Sequence, residues 1–245
     1  MKLGVVTSSP NLPGWSDIPL RDIIREKYGI TTYLVNDASA AALGEYHLGA
    51  GRGVSNLIYV TVSTGIGGGI IIDGKLYCGT SGSAGEVGHM TIDVDGPRCR
   101  CGNVGCLEVL ASGTAVAKEA IDRISAGEGS YLTEIVGGRI ENITAEKVGV
   151  AARYGDSLAL EVIAKAAMYL GVGMVNLVNI FNPEMIIVGG GMSKLGDLLF
   201  VPVRQLVQER AFRLSAQAVH IVPAELGDNA GVLGATVFAF QQGRS

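Results

Sequence analysis

The sequence predicts an α/β protein whose ligand site lies where strands end in turns. Of its 245 residues, 48% are hydrophobic and 17% are charged, which is enough apolar material for a sizeable core. Aromatic residues make up only 6% while glycine occurs 36 times, a profile that favours an α/β enzyme with many tight turns over a β-sandwich. Three apolar runs, 31–35, 57–62 and 184–188, each lead into a polar or glycine-rich turn. Because open α/β sheets bind ligands at the carboxyl ends of their strands, these turns form the candidate site.

Composition and charge exclude several classes of protein. The formal net charge is −4 and no basic stripe is present, so we expect no nucleic-acid binding by this chain. The N-terminus lacks the long apolar region of a signal peptide. The apolar segment 158–181 contains Glu161 and Lys165, which predicts a buried helix and no membrane span. Few cysteines, clustered at metal spacing, indicate a reducing cytoplasm.

The first elements are short. Residues 3–6 predict a strand, and the loop 8–15 contains two prolines beside Asn11, which is typical of a turn. Ser16 or Asp17 can cap the helix that follows, whose apolar residues recur at helical spacing until Gly29.

Asp37 stands where a predicted strand gives way to a predicted helix. The β-rich run 31–35 ends at Asn36-Asp37, and the alanine-rich segment 38–48 follows. Asp37 is therefore either the N-cap of that helix or a functional carboxylate at the end of a strand.

A glycine-rich hairpin is predicted next. The buried strand 57–62 leads into Ser63-Thr64-Gly65-Ile66-Gly67-Gly68-Gly69, and a second apolar strand follows. No Gly-Lys-Ser/Thr occurs, so this is neither a Walker loop nor a Rossmann turn. Free N–H groups and a Thr hydroxyl can bind phosphate, although such a hairpin alone is weak evidence.

The segment 86–108 carries the strongest motif. It reads Glu86-Val87-Gly88-His89, then nine residues, then Cys99-Arg100-Cys101-Gly102-Asn103-Val104-Gly105-Cys106-Leu107-Glu108. Three cysteines and one histidine close a tetrahedral structural zinc site. The alternatives are free cysteines in a loop, or one disulfide with an odd thiol. Cys78 falls outside the spacing and is interpreted as an ordinary buried thiol.

Helices dominate the remaining chain. Thr144 caps one helix, and Asp156 or Ser157 begins a long one that ends at Asn182-Pro183. A strand at 184–188 then leads into Gly189-Gly190-Gly191, and the final helix covers 231–240. His47 and His220 are interpreted as structural.

These motifs carry a family resemblance over nearly the whole chain. Glu-x-Gly-His followed by Cys-x-Cys-Gly-x-x-Gly-Cys-x-Glu resembles the zinc loop of the ROK family of repressors and sugar kinases. The run Asn36-Asp37-Ala38-Ser39-Ala40-Ala41-Ala42-Leu43-Gly44-Glu45 is similar to a second hallmark of that family. The resemblance implies an α/β, actin-like ATPase (ribonuclease H-like) two-domain fold. It also implies ATP-dependent phosphorylation of a hexose or amino-hexose, glucokinase-like, by a homodimer or homotetramer without membrane attachment.

The resemblance assigns roles to individual residues. Asp37 is the catalytic base, and the zinc ligands are His89, Cys99, Cys101 and Cys106. The predicted sugar contacts are Asn11, Asn36, Asp37, Glu86, His89 and Glu108. The predicted nucleotide contacts are Thr64, Gly65, Gly189, Gly190 and Gly191, with ATP and magnesium as cofactors. A partial small domain is predicted at 1–52 plus 231–245, and a large domain with the zinc loop at 53–230.

The chain also departs from the family pattern. The Asp-x-Gly-Gly-Thr loop, which grips the ATP phosphates in ROK kinases, occurs nowhere in it. The sequence therefore predicts an N-terminally truncated kinase with an incomplete small domain. The alternative is a non-catalytic sugar-sensing module related to the ROK repressors.

Overall fold

The secondary structure follows the predicted α/β pattern. The computed structural model describes residues 4–8 and 14–243, with the side chains of residues 7 and 8 left aside. The strands are β1 (Val6–Ser8), β2 (Ser16–Ile18), β3 (Leu57–Val62), β4 (Ile66–Ile72), β5 (Lys75–Leu76), β6 (Met185–Gly189) and β7 (His220–Pro223). The helices are α1 (Leu20–Tyr28), α2 (Asp37–Leu48), α3 (Leu107–Ala111), α4 (Gly113–Ser125), α5 (Leu132–Ile135), α6 (Ala145–Arg153), α7 (Ser157–Phe181), α8 (Asp197–Arg210), α9 (Arg213–Ala218) and α10 (Ala230–Gln242). Asn11 lies outside the described residues.

A mixed sheet of the order β5-β4-β3-β6-β7 forms the centre of the molecule. β3 pairs antiparallel with β4. It pairs parallel with β6, where Leu57 lies opposite Met185. β7 extends the parallel side by pairing with β6. β3 reads as a nearly continuous apolar run because a strand in this position is covered on both faces.

Helices cover the two faces of the sheet. Side chains alternate along a strand, so Ile58 and Val60 face the core formed with α3, α4, α6, α7 and α8. Leu57 and Tyr59 face a smaller core formed with α2 and α10. The helix α2 at the predicted catalytic turn is thereby fixed directly onto the sheet. The predicted domain boundaries stay predictions.

Small residues bring α2, α10 and β4 into close contact. A Cβ atom on Gly234 would lie 1.6 Å from the carbonyl oxygen of Ala40, so α10 crosses α2 backbone against backbone. A Cβ atom on Gly69 of β4 would lie 2.6 Å from the Cβ of Ala42. The alanine and glycine runs are therefore explained by packing at this point.

The long helix α7 is a core helix, as predicted. Asp156 caps it by accepting a hydrogen bond from the N–H of Ala159, and Asn182 ends it in the left-handed conformation. In the described part of the chain, α7 is the one helix whose length and apolar composition would allow it to cross a membrane. Its apolar face is instead buried, with Met174 fully enclosed.

The N-terminal predictions were partly wrong. Residues 31–35 form no strand, because β-propensity needs a neighbouring strand and these residues have none in the described part of the chain. Ser16 does not cap a helix, because it pairs with Ser8 in the hairpin of β1 and β2. α1 instead begins after Pro19 without a side-chain cap.

Candidate functional site

The predicted zinc ligands come together. His89 ends a short 3₁₀ turn, and the loop after it brings three thiols towards the imidazole. The candidate ligand atoms of His89, Cys99, Cys101 and Cys106 all lie within 4.8 Å of one another. Cys99 Sγ lies 3.7 Å from His89 Nδ1, and Cys101 Sγ lies 3.7 Å from Cys106 Sγ.

These separations fit one tetrahedral metal ion. Zinc–sulfur bonds of about 2.3 Å place two ligands of a regular tetrahedron about 3.7 Å apart. The same separation excludes a disulfide between Cys101 and Cys106, since that bond measures about 2.05 Å. All four cysteines are free, and Cys78 is exposed, so its interpretation as a buried thiol was wrong.

Burial and hydrogen bonding shift the thiol pKa values in the cluster. Burial, together with hydrogen bonds with Cys101 and Cys99, raises the pKa of the Cys106 thiol to about 12. A hydrogen bond from the Asn103 backbone is the main cause that lowers the pKa of Cys101. Zinc requires thiolates, so an ion in this cluster must displace the Cys106 proton and would then neutralise the crowded sulfurs.

Gly105 allows the zinc loop, residues 89–106 with the four candidate ligands, to close. Its φ is +60°, and a Cβ atom there would lie 1.5 Å from the carbonyl oxygen of Asp93. Its N–H donates to the carbonyl of Pro97 and its carbonyl accepts from Ile92, so the turn is held on both sides. A side chain at this position would force the cysteine ligands apart.

The zinc loop fixes a glutamate against the glycine-rich hairpin. Cys106 directly precedes α3, whose second residue is Glu108. The Glu108 carboxylate accepts a hydrogen bond of 3.0 Å from the N–H of Ile66, and a Cβ on Gly65 would lie 2.5 Å from the same oxygen. The candidate metal ligand Cys106 is thus two residues from a carboxylate that touches the candidate phosphate turn.

The hairpin divides into a packing part and an exposed part. Gly67 and Gly69 lie within β4 and pack under α2, so packing explains these two glycines. Thr64 and Gly65 form the turn itself, where Thr114 donates its hydroxyl to the carbonyl of Thr64. The phosphate-binding prediction therefore concerns these two residues.

Asn36 and Asp37 have different local roles. Asn36 is the N-cap of α2 and accepts a hydrogen bond of 3.0 Å from the N–H of Ser39. Asp37 is the first helical residue and accepts from the N–H of Ala38 at 2.8 Å. The capping role that was open for Asp37 thus belongs to Asn36, and the exposed Asp37 carboxylate faces two cavities.

The larger cavity, of about 1300 Å³, collects most of the predicted site residues. Its lining includes Asn36, Asp37, Thr64, Gly65, Glu86, His89 and Glu108. His89 turns Nδ1 towards the cysteines, which leaves Nε2 as the nitrogen available to a ligand. Among the predicted residues, the cavity thus brings together the carboxylates of Asp37, Glu86 and Glu108 and the imidazole of His89, beside a glycine turn.

A smaller cavity of about 250 Å³ adjoins it. Gly190 and Gly191 line it from one side, and Gly227 and Asp228 from the other. Gly189, a predicted nucleotide contact, lines neither cavity. It is the last residue of β6, and a Cβ atom there would lie 2.3 Å from the Tyr59 hydroxyl, so packing explains this glycine. Asp37, Thr61 and Ser63 line both cavities, so they mark the junction.

Sequence reasoning missed three groups near this junction. Asp228 and Tyr59 line the smaller cavity, and Glu45 is a fully buried carboxylate close to it. Burial is the main cause that raises the pKa of Tyr59, and the carboxylates of Glu45, Asp37 and Asp228 raise it further. The sequence could have indicated Asp228, because Gly227-Asp228-Asn229 is a typical turn sequence directly before the final helix.

Comparison with known proteins decides the family. The protein-family model described as "ROK family" matches residues 2–242 of the sequence. The chain belongs to the ROK family. A glucokinase from Halalkalibacterium halodurans is 39% identical over 246 residues, which cover 100% of this chain and 74% of that protein. A xylose repressor from Caldicellulosiruptor bescii is 40% identical, with coverage of 94% of this chain and 57% of the repressor.

Solved structures confirm the predicted fold. A ROK family glucokinase from Streptomyces griseus, in complex with glucose and AMPPNP, matches with a TM-score of 0.89 and 37% identity. That match covers 98% of this chain and 78% of the glucokinase. A ROK hexokinase from Thermus thermophilus matches with a TM-score of 0.81. This ROK chain therefore has the α/β, actin-like ATPase fold that the sequence predicted.

Proposed function

We propose that this ROK chain binds a hexose in the larger cavity and transfers the γ-phosphoryl group of ATP to it, in the manner of a glucokinase. The observation that carries the proposal is the position of Asp37. It is the titratable residue among the three that line both cavities. A base there faces a carboxylate-lined cavity on one side and a glycine-lined cavity on the other.

The larger cavity suits a sugar. Hydroxyl groups need convergent, rigid acceptors and donors, which Glu86, Glu108 and His89 provide. A zinc ion held by His89 and the three cysteines would supply rigidity, since it would fix the imidazole and the loop that leads to Glu108. If Nδ1, which faces Cys99, holds the zinc ion, Nε2–H would be a donor to a sugar oxygen.

The proposed reaction is a direct phosphoryl transfer. Asp37 takes the proton of the attacking sugar hydroxyl, whose oxygen then forms a bond to the γ-phosphorus while the bond to the β-phosphate oxygen breaks. The products are the hexose phosphate and ADP. Thr64 and Gly65 contact the phosphates, and Gly190 and Gly191 contact the nucleoside side. The accompanying magnesium ion neutralises phosphate charge when it is bound.

Binding and kinase assays test this function. We expect calorimetric titration to detect glucose binding, and an assay with magnesium, ATP and glucose to detect glucose phosphate. We also propose that the chain acts in the cytoplasm as a homo-oligomer, which light scattering during gel filtration tests. A folded, zinc-loaded protein that binds neither glucose nor other hexoses would refute the assignment of the larger cavity.

A sugar-sensing module is the second candidate. One observation favours it, namely the identity of 40% to a xylose repressor. Such a module would bind sugar without turnover. The coding DNA upstream of Met1 discriminates between the two, because an in-frame Asp-x-Gly-Gly-Thr supports a truncated kinase and an in-frame helix-turn-helix supports a repressor.

A further inference from the structure

Glu45 is a buried carboxylate without a cationic partner among the described side chains. Its exposed fraction is 0%, and no ion pair in the described part of the chain includes it. It lies in the last turn of α2, where the helix dipole disfavours a negative charge. A buried charge in such a place is unfavourable unless hydrogen bonds compensate for lost hydration.

Three backbone N–H groups, one just after α2 and two about 180 residues further along the chain, compensate the charge of Glu45. Oε1 accepts from Leu226 at 2.8 Å, and Oε2 accepts from Ala50 at 2.9 Å and from Glu225 at 3.2 Å. Room for Oε2 depends on Gly49, since a Cβ there would lie 2.1 Å from this oxygen. The carboxylate therefore joins the end of α2 to the connection between β7 and α10.

That connection leads directly into the wall of the smaller cavity. Gly227 and Asp228 follow Leu226 and line the cavity. Asp37 lies eight residues before Glu45 on the same helix, a distance of about 12 Å along the axis. One rigid helix thus carries the candidate base at its first residue and holds the opposite cavity wall near its last turn.

We propose that Glu45 is a positioning residue, which fixes the segment 225–228 relative to Asp37 and so sets the shape of the nucleotide cavity. This inference rests on the proposed function, because it takes the smaller cavity to hold part of the nucleotide. Glu45 contacts no substrate. A neutral apolar residue would fill the same space without the unfavourable burial of charge, but it would leave three backbone N–H groups without acceptors.

The substitution Glu45→Gln isolates this role. A carboxylate accepts on both oxygens, whereas an amide has one oxygen and one NH₂ group. The less disruptive orientation keeps the amide oxygen towards Ala50 and Glu225 and turns the NH₂ group towards the N–H of Leu226. The variant therefore loses the contact nearest to Gly227 and keeps nearly the same volume.

Arg52→Gln is the matched control. The Arg52 side chain donates to the carbonyl of Gly49 and to the carboxylate of Glu225, so it joins the same two segments from outside. Its side chain is 62% exposed, and an exposed ion pair contributes little. We expect this variant to leave both ligand affinities within about twofold of the unsubstituted chain.

Calorimetric titration with magnesium–AMPPNP and, separately, with glucose tests the inference on the full chain. We expect Glu45→Gln to raise the Kd for AMPPNP about tenfold, the order of a buried donor that loses its acceptor, with the Kd for glucose nearly unchanged. Hydrogen exchange of the amides at 225–228 should become faster, while that of the zinc loop should not change.

The outcomes separate the inference from the proposed function. A folded Glu45→Gln variant with an unchanged Kd for AMPPNP, or with equal losses for AMPPNP and glucose, overturns the positioning role alone. If the unsubstituted zinc-loaded chain does not bind AMPPNP, the nucleotide site is refuted and the positioning role falls with it. If Glu45→Gln does not fold, Glu45→Asp, which keeps the charge on a shorter side chain, is measured against the same criteria.

Discussion

Replacement of one zinc ligand tests the metal site and its connection to the sugar cavity together. Cys101→Ser is the best perturbation, because Cys101 is exposed whereas Cys106 is fully buried. A serine there causes little loss of packing, so the main effect falls on the metal. Cys78→Ser is the matched control, since Cys78 is also exposed and lies outside the cluster.

The expected magnitude follows from the number of ligands. Structural zinc sites bind with about 10–16 kcal/mol, so an equal share for one of four ligands is about 3 kcal/mol. Each 1.4 kcal/mol corresponds to about a factor of ten, and the zinc Kd should therefore rise about 10²-fold. The sugar affinity should fall as well, because the loop positions His89 and leads into the helix that carries Glu108.

Two measurements check this expectation. Elemental analysis of protein purified without chelator should give one zinc per unsubstituted chain, and competition with a chromophoric chelator gives the Kd. Glucose titration of the same samples gives the effect on the sugar cavity. Well under one zinc in the unsubstituted chain, or equal zinc loss in Cys101→Ser and Cys78→Ser, would refute the site. Loss of zinc with unchanged glucose binding would refute the connection.

Three further predictions concern protons, catalysis and the loop. Burial is the main cause that raises the pKa of metal-free Cys106 to about 12, so zinc binding must displace the thiol proton. The zinc Kd should therefore rise about tenfold per unit of falling pH for each proton displaced. Chelator competition from pH 8 to pH 6 measures this, and a pH-independent Kd contradicts it. The 245-residue chain should phosphorylate glucose at least about 10³-fold more slowly than a ROK kinase that contains Asp-x-Gly-Gly-Thr, because the phosphate donors of that loop do not occur in this sequence; turnover on the order of 10 s⁻¹ would overturn this reading. Asp37→Asn should abolish the remaining turnover with glucose affinity retained, whereas Asp73→Asn, at an exposed turn outside both cavities, should leave turnover unchanged. Gly105→Ala should lower zinc content and stability, since its Cβ meets the carbonyl of Asp93, whereas Gly129→Ala, with open space at its Cβ, should leave both unchanged in thermal denaturation.

Local patterns predicted the parts of the site that depend on local chemistry. The spacing of three cysteines and one histidine gave the four ligand candidates, because a metal loop is specified by a few residues close in sequence. Helix caps at Thr144 and Asp156 were found for the same reason. The predicted strand at 31–35 was wrong because a strand is defined by its partner, and a propensity carries no information about one.

Long-range contacts explain what sequence reasoning missed. Glu45 accepts hydrogen bonds from residues 180 and 181 positions away, and no periodicity or spacing reveals such a pairing. Asp228 joins the site only because α10 folds back across α2. The exposure of Cys78 likewise depends on where the loop after β5 runs.

The segment 36–45 shows how one helix serves several functions of the site. Asn36 caps its start and leaves the Asp37 carboxylate at the junction of the two cavities. Its alanines lie on the glycines of β4, and Gly44 makes room for α10, since a Cβ there would lie 2.4 Å from the carbonyl oxygen of Ala230. Glu45 then holds the connection that forms the far wall of the smaller cavity. A larger side chain on any of these contact faces would move Asp37 relative to that wall. Packing of α2 therefore controls the geometry between the proposed base and the proposed nucleotide, although most of its residues touch neither ligand.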